Sequence, residues 1–289
     1  MGLYSNFGAT SEDAKRRLNV LVFGAHPDDC DLGFAGSAIK YRALGHRVKF
    51  VSLTNGDSGH SSMGGGPLAI RRYHEAQAAG RVSGIEYEVL DVHDGDLTPN
   101  VFMRNWVIKI IRDFRADIVL CPRPNDYHPD HRATGVLVQD ASYLVTVPNV
   151  AALSPILEVP PVVGYTYDSF TIPSPFVADV AIDTDDVLER KRDVLHCHES
   201  QVYEWMPTNG GYLDEISSDD EERRQWLLER SYRKFSAVAD SVRESLIKFY
   251  GPEHGKAVKT AEAVMVSEYG RYPAPEELKS LFPFFPEQA

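Results

Sequence analysis

An α/β sandwich built on a mostly parallel sheet is the fold class that the sequence predicts, on three observations. Short apolar runs alternate with helix-length periodic stretches up to about residue 148. The apolar runs Leu18 to Gly24 and Asp117 to Cys121 are continuous rather than alternating, as in strands covered on both faces. Each of these two runs is followed at once by histidines and carboxylates, where the loops of doubly wound sheets bind ligands.

The elements follow in order. Residues 1–17 read as a polar arm. Leu18 to Gly24 is the first strand, and residues 32–44, with Leu32, Ala35, Ile39 and Leu44, form a helix that Gly45 stops. Val48 to Thr54 is the second strand, and Asn55 to Pro67 a Gly/Ser-rich loop. Residues 68–82 form a helix, Tyr87 to Val92 the third strand, 101–115 a helix, Asp117 to Cys121 the fourth strand and 131–146 a helix. The doubly wound strand order is 3-2-1-4-5. Beyond a Pro-rich connection, Pro148 to Pro161, the runs Val162 to Tyr167 and Phe176 to Ile182 read as strands. Residues 184–199, 221–248 and 256–268 read as helices, and Leu281 to Pro286 as a docking aromatic strap. The expected organisation is an arm over 1–17, an α/β core over 18–202, and a helical C-terminal extension over 203–289 packed on the same domain.

The 289 residues carry 43% hydrophobic and 25% charged side chains, a globular composition of one large domain or two small ones. The formal charge of -12 argues against nucleic-acid binding, which needs clustered Lys and Arg, and against a polybasic membrane anchor. No apolar run reaches the ~18–20 residues of a membrane span, and Met1 to Arg17 lacks the apolar core of a signal peptide. Three cysteines, Cys30, Cys121 and Cys197, fit a reducing, cytoplasmic setting better than a disulfide framework.

The turn after the first strand reads Ala25-His26-Pro27-Asp28-Asp29. A dinucleotide-binding turn carries glycines here so that backbone approaches a pyrophosphate; an imidazole and two carboxylates instead repel phosphate and attract a cation. After the fourth strand comes Asn125-Asp126-Tyr127-His128-Pro129-Asp130-His131. Strands 1 and 4 are neighbours in the predicted order, so both clusters meet in one crevice. Neutral imidazole and carboxylate are zinc ligands, and catalytic sites use three of them with one open position. His26 and Asp29 face one way, and His128 or His131 completes a His–Asp–His set. Asp28 stays free beside the metal, and the other histidine is left as acid or electrophile.

His26-Pro27-Asp28-Asp29 and His128-Pro129-Asp130-His131 together resemble the paired signatures of the LmbE-like (PIG-L) zinc-dependent N-deacetylases. Arg72-x-x-Glu75 with Ala78-Ala79, Asp94-x-x-Leu97, His198-x-Ser200-Gln201 and a weaker echo at Glu268-Tyr269-Gly270 are similar to further family motifs. Cys30 after the double aspartate is similar to the diacetylchitobiose deacetylases of that family. The resemblance implies that His26, Asp29 and His131 hold Zn2+, with Fe2+ an alternative that ligand type separates poorly. It implies that Asp28 is the general base, that protonated His128, oriented by Asp130, faces the oxyanion, and that Arg72 and Asp94 bind sugar hydroxyls. The implied reaction removes acetyl from an N-acetylglucosaminyl compound, a small-molecule amino-sugar substrate, and a homo-oligomer is plausible. Tyr127 lies one residue before His128, where some family members place a tyrosine two residues before; it is left out of the catalytic set.

Blander roles exist for several residues. Asp28 and Asp130 suit helix caps, Arg72–Glu75 a surface i,i+3 pair, Asp94 a turn, Cys30 a small buried residue, and His198 a structural hydrogen bond. The alternatives to amino-sugar deacetylation are the same chemistry on another N-acyl substrate, such as a thiol conjugate or antibiotic precursor, and a non-catalytic metal- or sugar-binding relative.

Overall fold

The computed structural model of the protein describes residues 16–286; most of the expected N-terminal arm lies outside them. One seven-stranded sheet has the order β3-β2-β1-β4-β5-β7-β6. It is formed by β1 (Asn19–Gly24), β2 (Arg47–Ser52), β3 (Glu86–Val89), β4 (Ile118–Cys121), β5 (Val162–Thr166), β6 (Val180–Asp183) and β7 (Ala261–Gly270). Strands β3, β2, β1, β4 and β5 are parallel, as the sequence predicts, and β7 joins β5 and β6 antiparallel.

The continuous apolar run of β1 serves two cores. Val20 and Val22 pack with Phe34, Ala38 and Tyr41 of α1 (Asp29–Ala43). Leu21 and Phe23 point the other way, among residues of α3 (Val101–Phe114) and α4 (Pro129–Leu144). Period-2 side-chain alternation divides one strand between two faces, so every β1 position must be apolar. The stretch α2 (Gly65–Ser83) connects β2 to β3. Helix α3 is capped by Asn100, whose side chain accepts from Met103 N at 3.0 Å, and stops at Arg115, which is left-handed with φ of 54°. The Pro-rich connection is fastened by buried Arg112, which donates to the carbonyls of Val145, Val150 and Ser154 among others.

The C-terminal part carries α5 (Leu188–His196), α6 (Met206–Gly210), α7 (Asp220–Ser241), α8 (Arg243–Tyr250), α9 (Pro252–Ala257) and α10 (Pro275–Leu281). One expectation is corrected here. Residues 256–268 were expected as a helix, yet Ala261–Gly270 is β7 and fills the slot between β5 and β6. Its Ala, Glu and Met residues favour helix locally, and pairing on both edges overrides that preference. Leu281 to Pro286 docks as the expected aromatic strap: Phe282 is fully buried, Phe284 packs edge-on against Tyr41, and Phe285 stacks on Phe249. No described helix is long and apolar enough to cross a membrane.

Candidate metal centre

Val22 of β1 pairs with Leu120 of β4, so the two strands end level and release their loops at one edge of the sheet. The first loop turns sharply. Asp29 accepts hydrogen bonds from Ala25 N at 2.9 Å and His26 N at 2.8 Å, which folds the turn back on itself. A Cβ at Gly24 would lie 2.8 Å from the Asp29 Cβ, so only glycine ends β1 this close to the turn. Asp28 takes the strain, with φ of 141°. It sits at the N-cap of α1 but makes no side-chain cap hydrogen bond, so capping does not explain it. Its buried carboxylate instead accepts from Arg72 Nη2 at 3.0 Å.

Three donor groups converge beside it. His26 Nδ1 lies 3.4 Å from Asp29 Oδ2, His131 Nε2 lies 3.3 Å from the same oxygen, and the two nitrogens are 3.3 Å apart. A tetrahedral zinc with ligand bonds of about 2.05 Å sets its ligands about 3.3 Å apart, so the triangle has the size and the donor chemistry of such a site. Two looser groups share its residues, His26 with His128 and His131, and His26 with Asp94 and Asp130, each with donor atoms within 4.8 Å of one another. The longest side of the Asp29 triangle is 3.4 Å.

Carboxylates stand behind the imidazoles, as behind metal-bound histidines. His131 Nδ1 lies 3.1 Å from Asp126 Oδ1, and His26 Nε2 lies 3.1 Å from Asp94 Oδ1 and 3.4 Å from Asp130 Oδ2. The His26 Nε2 contacts are close but poorly aligned for hydrogen bonding. Burial disfavours charge on both rings, yet the surrounding carboxylates outweigh it, so His26 is raised well above its ordinary value and His131 to about 10. Burial likewise opposes ionisation of Asp29, and His131 and His26 overcome it, holding its carboxyl well below the usual range. The cluster thus demands positive charge, which two ring protons or one divalent cation satisfy. Burial pushes Asp28 up to about 6 against the pull of Arg72.

Several residues expected in the site have different contacts from those foreseen. Asp130 was expected to orient His128. Its carboxylate instead accepts from Gly95 N at 2.7 Å and Leu97 N at 3.3 Å and faces His26. Its backbone N–H donates to His128 Nδ1 at 3.2 Å, making His128 the N-cap of α4. The amide fixes Nδ1 as acceptor, so a neutral His128 carries its proton on Nε2. Burial, His26 and His131 lower the His128 pKa, which favours that neutral form over the protonated one expected.

Arg72, only 3% exposed, donates to Gly56 O and Pro27 O as well as to Asp28, so it braces the loop and the carboxylate rather than pairing with Glu75. Glu75 accepts from Ser200 N and Ser200 Oγ. Asp94 is buried beside His26 and accepts from Ser58 N at 3.4 Å. His198 is fully buried, with Nε2 3.0 Å from Asp31 Oδ2, and the same oxygen accepts from Tyr87 OH at 2.8 Å. Cys30 is a buried apolar-type residue whose thiol donates to Val22 O.

Asp126, Tyr127, His60 and Glu204 neighbour the site with no role assigned to them from the sequence. Asp126 stood in the second cluster without a role. Tyr127, set aside, is 74% exposed with its ring 5.6 Å from that of His131 and 5.8 Å from that of His128. The loop after β2 is clamped by the π-helical segment Ser200–Trp205: His60 Nε2 lies 2.7 Å from Glu204 Oε2, and Gln201 Nε2 donates to Gly59 O. No short-range pattern joins His60 to Glu204.

A family model described as PIG-L, GlcNAc-PI de-N-acetylase, matches residues 21–142. The diacetylchitobiose deacetylase of Thermococcus kodakarensis is 33% identical over 203 residues, covering 65% of this chain and 73% of that protein. Among solved structures, the N,N'-diacetylchitobiose deacetylase of Pyrococcus horikoshii matches with a TM-score of 0.67 at 22% identity, over 90% of this chain and 87% of that one. GalB, the 4-carboxy-2-hydroxymuconate hydratase of Pseudomonas putida, matches with a TM-score of 0.68 at 18% identity, over 89% of this chain and 98% of that one. The same fold therefore occurs with a deacetylase and with a hydratase, and activity must be argued from the site.

Proposed function

The chain belongs to the PIG-L (LmbE-like) family, and from that premise we propose that it hydrolyses the acetamide of an N-acetylated amino sugar, releasing acetate and a free amine. The observation that carries this reading is the triangle of His26, Asp29 and His131 with Asp28 held beside it.

His26, Asp29 and His131 would hold the metal, with zinc the preferred ion and ferrous iron the alternative. A bound divalent ion supplies Lewis acidity to the amide carbonyl and acidity to water. The chain's own residues do the rest. Asp28 accepts the proton of the attacking water; Arg72 fixes one of its oxygens, and a pKa near 6 suits a base working near neutrality. His128 donates from Nε2 to the amide oxygen as negative charge develops there, and needs no extra proton to do so. Asp126, Asp94 and Asp130 orient the two metal-side imidazoles. Asp94 and Arg72 also border the small space left by Gly59, where a side-chain carbon would be 3.2 Å from Arg72 Nη1 and 3.6 Å from Asp94 Oδ2. Sugar hydroxyls fit that pairing of donor and acceptor.

The test is primary-amine release from N-acetylglucosamine, N,N'-diacetylchitobiose, and malate and inositol conjugates of N-acetylglucosamine, with protein stripped of metal and reloaded with zinc. Zinc-dependent release from any of them supports the reading. No release from any, with zinc bound at one per chain, overturns it in favour of another amide or of binding alone.

A further inference from the structure

Beside the metal triangle lies a cavity of about 160 Å³ whose wall includes Asp29 and His131. Arg72, Asp94 and His128 are not among the residues that line it. At about 30 Å³ per water it holds roughly five waters, more than one methyl group needs. Leu32, Phe235 and Val238 give it an apolar wall. Its charged groups are paired, with one exception. Arg123 pairs with Asp168, Asp126 with His131 and Glu262 with Lys191. Lys234 of α7 has no ion-pair or hydrogen-bond partner among the described residues. Lys234 is exposed, with its ammonium 5.9 Å from the centroid of the Phe235 ring. Burial and Lys191 push its pKa down to about 8, while Asp28 and Asp29 pull the other way. It is therefore still mostly charged at neutral pH.

Resting on the amide-hydrolase reading, we propose that this cavity is an acyl subsite for N-acyl groups longer than acetyl that end in a carboxylate, with Lys234 as the partner of that carboxylate. Unpaired positive charge at the wall of a partly apolar space matches a short chain with an anionic end better than a plain alkyl chain. Hydrolysis of an N-succinyl amide would add water across the C–N bond and give succinate and the amine.

The test compares kcat/KM for N-acetyl-, N-butyryl- and N-succinylglucosamine with the zinc-loaded full chain. Butyryl probes space, and succinyl, of the same chain length, adds only the charge. Succinyl should exceed butyryl by roughly tenfold, as a charge-assisted hydrogen bond allows. Lys234→Met should erase that preference and Lys234→Arg keep it, both at unchanged zinc content. Equal rates for butyryl and succinyl, or a preference that survives Lys234→Met, overturn the subsite. Turnover of the acetyl compound alone overturns it while leaving the deacetylase reading intact. Turnover of the succinyl compound alone supports it and overturns the acetyl reading, and turnover of none overturns both.

Discussion

His26 Nδ1 faces His131 Nε2 at 3.3 Å across 105 residues of chain. Two imidazole nitrogens meet at that distance through a hydrogen bond or through a shared cation, and Asp29 closes the third corner at 3.3–3.4 Å. The parallel pairing of β1 with β4 creates the meeting, because it brings both loops to the same sheet edge.

The proposed metal binding is tested at that triangle. Asp29→Ala should lower bound zinc to roughly a tenth of one per chain by elemental analysis, since two histidines alone make a poor site. Wild-type protein stripped by chelator should regain stability on zinc addition, by about 4 kcal/mol at a thousandfold excess over Kd. Full zinc retention in Asp29→Ala would assign the metal to His26, His128 and His131 instead.

His198 and Asp31 give a pH-dependent contribution to stability. Burial works against the imidazolium, but the Asp31 carboxylate outweighs it, so the folded pKa is raised. A raised histidine contributes fully below its unfolded value of about 6.5 and loses the contribution as pH rises through the folded value. His198→Gln should therefore cost about 3–5 kcal/mol at pH 6 and less at pH 9, read by urea unfolding at both. An equal cost at both would mean that the pair is neutral in the fold.

Glu262 ties the C-terminal part to the first helix. It accepts from Gly36 N at 2.9 Å and Ser37 N at 2.7 Å and pairs with fully buried Lys191 at 2.5 Å. Glu262→Ala leaves that ammonium without a counter-charge and should cost about 3–5 kcal/mol. The double change Lys191→Met with Glu262→Met should recover part of the loss. A thermal melt of the three proteins decides the matter, and a cost under about 1 kcal/mol would contradict the pairing.

Much of this was legible in the sequence, and the reasons divide cleanly. The apolar runs of β1 and β4 and the two histidine clusters carry local signals, and the parallel-sheet rule brings them together. β7 was misread because Ala261, Glu262 and Met265 favour helix until β5 and β6 flank them. The carboxylate of Asp130 was assigned to His128, its neighbour in sequence, whereas it bonds Gly95 and Leu97 more than thirty residues away. Lys234 and Glu204 carry no motif; only α7 and the segment after α5, packed over the site, give them a place there.

Gly135 holds α4, and with it His131, at the correct depth. A Cβ there would lie 2.6 Å from Pro122 O and 2.9 Å from Pro124 N, both backbone atoms that cannot swing aside. Gly135→Ala should lower the melting midpoint, at a cost of about 1–3 kcal/mol. It should also lower kcat by about tenfold to a hundredfold through misplacement of His131. Unchanged kinetics would show that the helix shifts without moving the triangle.

Asp28 is proposed as the base beside the metal triangle, and Asp28→Asn tests that role. The measurement is kcat for amine release from the best N-acyl amino sugar, with zinc content determined on the same sample. One zinc per chain is expected, with a kcat lower by about 10²–10⁴-fold, the usual worth of a positioned general base. A fully zinc-loaded Asp28→Asn protein with kcat near that of the wild type would contradict it.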